Sequence, residues 1–119
     1  MHRAWGGEAC ALLVAAGLLA GCGGGHSRYA RGYEVYVEHC ASCHQIDGRG
    51  YDQIYPNLAG NPIVQSRDPD AVISTVLKGR GGMPGFGGEL SSDQLADVIS
   101  YIRAAWANDA PPVHSTEVR

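Results

Sequence analysis

Two cysteines and a histidine within five residues, Cys40-Ala41-Ser42-Cys43-His44, constrain this chain more than any other feature. On a helix, positions i, i+3 and i+4 share a face, so both thiols and the imidazole point the same way. Three common uses of such a cluster fit poorly. A zinc site takes four ligands in paired clusters, and neither Cys22 nor His26, His39 or His114 supplies a second pair at matching spacing. A dithiol redox motif needs a βαβ setting, and no convincing strand pattern is present. A disulfide across two intervening residues closes too small a loop to stabilise much.

The spacing C-x-x-C-H is instead the signature of covalent haem attachment. The expectation is that Cys40 and Cys43 bond to the two vinyl groups of one haem c and that His44 reaches the iron from one side. A covalent cofactor suits the chain's size. At 119 residues it holds at most one ordinary domain, with aromatic residues at 8% and a single Phe. A core that thin is marginal without a metal, a disulfide or a cofactor. The net charge of −3, with Lys78 the one lysine, argues against a nucleic-acid partner.

The first 21 residues read as an export signal. Arg3 supplies positive charge, weakened by Glu8, and residues 9–20 form an apolar run of 12. A spanning helix needs roughly 20 such residues. The run ends Leu19-Ala20-Gly21-Cys22, which resembles the lipobox of bacterial lipoproteins. That resemblance implies acylation of Cys22 and cleavage before it; an ordinary signal peptide cut nearby is the alternative. Residues 22–27 then form a short tether. The expected location is the cell envelope, lipid-anchored to a membrane and facing the periplasm or exterior.

Three helices are predicted in the domain spanning 28–108. The first covers roughly Arg28 to Cys43, with Ser27 as N-cap and Tyr29, Tyr33, Tyr36 and Cys40 along one face. The second runs from Pro69 to Lys78 behind an Asp68 N-cap, with Val72, Ile73, Val76 and Leu77 as its stripe and Gly79 as its stop. The third runs from Ser92 to Ala107. Ser91 and Gln94 have capping-box spacing, Leu90 and Leu95 the staple positions, and Leu95, Val98, Ile99, Ile102 and Trp106 the buried face. Asn108 closes it and Pro111-Pro112 prevents extension. Residues 45–67 read as irregular, with a short turn after Pro62. Residues 79–90 form a loop with six glycines, and 109–119 a disordered tail.

The motif and its surroundings resemble the monohaem class I cytochromes c over roughly 28–108. Gly32 and Tyr36 stand eight and four residues before Cys40, where that family packs a glycine and an aromatic against its C-terminal helix; Val98 and Tyr101 are the facing pair. The resemblance implies an all-α fold in which N- and C-terminal helices cross, with a third helix and long loops around one haem. It also implies roles for Pro56-Asn57-Leu58, twelve residues past His44. The Pro56 carbonyl accepts a hydrogen bond from the proximal His44, and Leu58 packs on the haem. The distal ligand it implies is a methionine before the last helix, and Met83 stands there. Bis-His ligation through His26, His39 or His114 is the competitor. Arg67, Arg80, Tyr51, Tyr55 and Trp106 are candidates for the haem propionates.

His/Met ligation leaves no open iron position and suits one-electron transfer rather than catalysis. The stretches Pro56-Asn57-Leu58-Ala59-Gly60-Asn61, Val76-Leu77-Lys78-Gly79, Met83-Pro84-Gly85-Phe86 and Tyr101-Ile102-Arg103 are similar to the last haem domain of the cytochrome subunits of membrane alcohol and gluconate dehydrogenases. Two partner readings follow. The chain is a general membrane-anchored carrier passing electrons to a terminal oxidase, or the cytochrome subunit of a dehydrogenase. A third reading is a haem enzyme or sensor with an open iron site.

Overall fold

The computed structural model describes residues 26–119; the export signal, Cys22 and the start of the tether lie outside them. The described chain is all-α, with α1 (Arg28–His39), α2 (Ala41–His44), α3 (Asp70–Lys78) and α4 (Ser92–Ala104). Two isolated bridges, Tyr51 with Tyr55 and Arg80 with Met83, are the only β pairings among the described residues.

Helix α1 packs across α4. Gly32 permits the approach: a Cβ there would sit 2.2 Å from the Asp97 carbonyl oxygen and 2.7 Å from Tyr101 Cβ. Tyr36 is fully buried at that contact, and its ring meets Tyr101 at 5.4 Å and Trp106 at 5.2 Å. Val98 and Ile99 fill the α4 side, while α3 adds Val72, Ile73 and Val76. Asp97 closes the edge, accepting from Arg31 Nε at 2.7 Å.

The helix ends show which local signals prevail. Ser27 caps α1 by accepting from Ala30 N at 3.2 Å. Ser91 and Gln94 form the full capping box on α4. On α3 the boundary moves by one residue. Pro69 occupies the cap position, while Asp68 Oδ1 accepts from Asp70 N at 2.9 Å, so the expected capping carboxylate acts from one position further out.

Four expectations need correction. The first helix is two helices, because Cys40 leaves helical geometry at φ −120°. The face read through Tyr29, Tyr33, Tyr36 and Cys40 does not hold together as one: Tyr36 is buried with Gly32 and Val35, whereas Tyr29 and Tyr33 are each 44% exposed. Helix α4 ends at Ala104 rather than Ala107. Ala105 is extended and Trp106 and Ala107 take left-handed φ values of 52° and 66°. The released carbonyls find other donors, Ile102 O from Asn108 Nδ2 and Arg103 O from Ala110 N. Finally, 109–119 is not a disordered tail. Val113 and Val118 are buried, and Ser100 Oγ both accepts from Val113 N and donates to Val113 O. Two valines spaced by five in a polar, proline-led segment give no helical or strand period, which hid this packing.

Candidate functional site

The site grows from the junction of α1 and α2. Cys40 N still donates to Tyr36 O and His44 N to Cys40 O, each at 2.9 Å, so the motif keeps one helical turn across the break. Cys40 and Cys43 are free, partly buried thiols, and His44 is buried. Burial, and secondarily the neighbouring Cys43, pushes the Cys40 thiol up to about 11, so it is neutral at pH 7.

His44 Nδ1 lies 3.0 Å from the Pro56 carbonyl oxygen. A carbonyl can only accept, so Nδ1 carries the proton and Nε2 keeps the lone pair that a metal needs. Glycines hold the proline there. Gly50, at φ 64°, leaves no room for a Cβ beside the carbonyl oxygens of Tyr55 and Pro56, and its N–H donates to His44 O at 2.9 Å. Gly48, at φ 66°, presses against the Trp106 ring, and its carbonyl accepts from Leu58 N at 2.7 Å. Leu58 is half-buried against the core.

Met83 is also half-buried against the core, on a loop braced by α3. Arg80 and Met83 exchange backbone hydrogen bonds at 3.0 and 3.1 Å, Phe86 N donates to Val76 O, and Gly87 N donates to Leu77 O. Gly79 and Gly85 pack so tightly that a Cβ on either would clash with backbone, that of the Met83–Gly85 turn for Gly79 and that of Leu77–Lys78 for Gly85. Gly79 and Gly85, two of the six glycines, thus set the close packing of this loop around Met83, while Gly81, Gly82 and Gly88 face open space.

The other histidines are differently engaged. The His39 ring packs edge-on against Phe86 at 6.0 Å. The His26 carbonyl accepts from Arg31, and His114 lines a surface cavity with Arg28, Arg31 and Asp97. Among the described residues no group of three or more His, Cys, Asp or Glu converges as a metal site. Of the propionate candidates, Arg67, Arg80, Tyr51 and Tyr55 are exposed side chains. Trp106 has its N–H committed to Ile46 O at 2.9 Å.

Sequence reasoning missed one organising residue, Asn108. Beyond helping to close α4, its side chain donates to Leu58 O at 3.0 Å and accepts from Gly60 N at 2.7 Å, tying the loop after Pro56 to the end of α4. An asparagine just past a helix reads as a local cap, and nothing local reveals a partner some 50 residues away.

A small α fold with crossed terminal helices, an attachment motif at the first helix junction and a methionine loop before the last helix is the frame of a class I cytochrome c. The comparisons agree. A family model described as cytochrome c oxidase, cbb3-type, subunit III matches residues 27–102. The cytochrome c subunit of the quinone-dependent alcohol dehydrogenase of Gluconobacter oxydans is 40% identical over 91 residues, covering 67% of this chain and 19% of that protein. The gluconate 2-dehydrogenase cytochrome c subunit of Pantoea cypripedii is 37% identical, covering 66% and 21%. The chain therefore spans about a fifth of the length of these relatives. Among solved structures, cytochrome c6 of the diatom Phaeodactylum tricornutum superposes with a TM-score of 0.54 at 28% identity, covering 66% of this chain and 93% of that one. The chain belongs to the cytochrome c family, and its cofactor is a covalently bound haem c.

Proposed function

We propose that this protein is a one-electron carrier of the bacterial cell envelope, held at a membrane by lipid on Cys22. In this reading Cys40 and Cys43 form the thioethers, His44 is the proximal ligand and Met83 the distal one. Bound haem supplies a one-electron couple, and the chain's residues hold it in one coordination state. Pro56 fixes the His44 tautomer and strengthens its ring nitrogen as a donor. Leu58 would supply apolar surface to the cofactor. Met83 would be the second protein ligand to the iron, and its thioether would lift the reduction potential relative to a second histidine and exclude small ligands. The observation that carries the reading is the 3.0 Å contact between His44 Nδ1 and the Pro56 carbonyl, which leaves Nε2 available beside two thiols.

The decisive experiment is an absorption spectrum of protein exported with a haem-attachment system, in both oxidation states and again after denaturation. Haem that remains with the denatured chain, with the weak ferric sulfur-to-iron charge-transfer band beforehand, is expected. Haem without that band moves the distal ligand away from Met83. No retained haem overturns the assignment of Cys40 and Cys43.

A second reading is favoured by the relatives, which are cytochrome subunits of alcohol and gluconate dehydrogenases. There the chain serves such a dehydrogenase, with the partner performing substrate oxidation. Co-purification with a flavin or quinoprotein subunit distinguishes this from a free carrier feeding an oxidase.

A further inference from the structure

Helix α1 has an apolar edge that its packing leaves half exposed. Tyr29, Tyr33 and Val37 are spaced by four, so they form one stripe, and they are 44%, 44% and 43% exposed. The edge continues onto α4, where Tyr33 stacks edge-on against the half-buried Tyr101 with ring centroids 5.6 Å apart. Glu34 and Glu38 form a separate stripe, so no carboxylate interrupts the tyrosines. An exposed apolar edge of this kind on a small domain marks a contact surface.

The chain before α1 indicates what covers it. Only residues 23–27 separate Cys22 from Arg28. Five residues span at most about 18 Å when fully extended. A domain tied to acyl chains at Cys22 is therefore confined against the bilayer by the N-terminal end of α1, where this edge begins. Tyrosine suits that setting, because its ring favours the apolar boundary and its hydroxyl the headgroup layer. Resting on the proposed acylation of Cys22, we infer that the Tyr29–Tyr33–Val37 edge lies on the lipid surface and fixes the orientation in which the tethered domain presents its haem.

The test uses the full acylated holoprotein on vesicles of phosphatidylethanolamine and phosphatidylglycerol. A charged, membrane-impermeant diazonium reagent labels tyrosines, and peptide mass spectrometry reads each rate. Tyr55 and Tyr51, on the loop before Pro56, serve as references within the same molecule, each tyrosine's rate being divided by its own rate in the Cys22→Ser holoprotein without vesicles so that any cover by haem cancels. The expected result is labelling of Tyr29 and Tyr33 at least about fivefold slower than Tyr55 on vesicles after that division. Equal labelling on vesicles, with protein that still floats with the lipid, overturns the inference and leaves the anchor standing. A chain whose mass shows no acyl group and which does not float overturns the anchor and the inference together. Protection of Tyr29 and Tyr33 in both samples assigns the edge to a protein contact and overturns the lipid surface as its occupant.

Discussion

Single side chains decide the chemistry of this site. His44 would be an ordinary buried histidine without the Pro56 carbonyl, which selects the tautomer with Nε2 unprotonated. Under the proposed ligation, Met83→Ala opens the iron, and the variant holoprotein should bind carbon monoxide or cyanide rapidly where the parent resists both. Stopped-flow absorbance checks this, and a parent-like variant refutes the distal role of Met83. Tyr36 carries a second residue-scale prediction. Its phenol is raised from its usual value of 10.0, chiefly by burial and then by Cys40, while its hydroxyl donates to Gln45 O at 2.6 Å. The folded state therefore holds this proton more tightly than the unfolded chain, whose tyrosines ionise near pH 10. The contribution is whole below about pH 10 and is lost as pH rises beyond it. Denaturant titrations between pH 8 and 11 should show stability falling at the alkaline end, and Tyr36→Phe should flatten that fall.

At the scale of elements, the contact between α1 and α4 governs everything built on α1, including the attachment motif at its end. Gly32 sets the spacing of the two backbones, and its obstacles are the α4 main chain and the root of Tyr101, neither of which moves cheaply. Gly32→Ala should destabilise the holoprotein by about 1–3 kcal/mol, since overpacking is relieved only by separating the helices. For a domain of this size that lowers the melting temperature by roughly 4–8 °C per kcal/mol, which thermal scans will read. The capping box at Ser91 and the stripe on α3 were legible because both rest on neighbours within a few residues. The break at Cys40 and the early end of α4 were not. The carbonyls freed near the end of α4 are answered by groups further along the chain, and helical period carries no trace of such donors.

For the whole molecule, the C-terminal segment is part of the domain. Arg103 is buried, and its guanidinium, lowered from its usual value by burial, donates to the carbonyls of Val64, Ser66 and Pro111 at 2.8–2.9 Å. One side chain thus joins α4, the 62–66 turn and the C-terminal strap. Val113 and Val118 complete the core beneath it. Truncation after Asn108 removes both buried valines, whose burial is worth about 1.5 kcal/mol each, and leaves Ser100 Oγ and Arg103 Nε without their partners at Val113 and Pro111. The truncated holoprotein should therefore lose about 3 kcal/mol in urea unfolding while keeping its haem spectrum. A stability equal to that of the full chain would return this segment to a loose tail.

What the sequence determined by itself is the chemistry that spacing encodes. C-x-x-C-H needs only one helical turn to gather its groups, and Ser91 with Gln94 needs only one helix start. The pairings of Gly32 with Tyr101 and of Pro56 with His44 were also legible, but through resemblance to class I cytochromes c rather than from local pattern. Tertiary structure alone decided which edge of α1 is buried, where α4 ends, how Asn108 holds the Leu58 loop and that Val113 and Val118 anchor the C-terminal segment in the core. Each of these depends on groups that meet across the fold and are satisfied by whichever element arrives. Burial and hydrogen-bond satisfaction are properties of the assembled core, and a linear pattern records them only when both partners lie within a turn or two of each other.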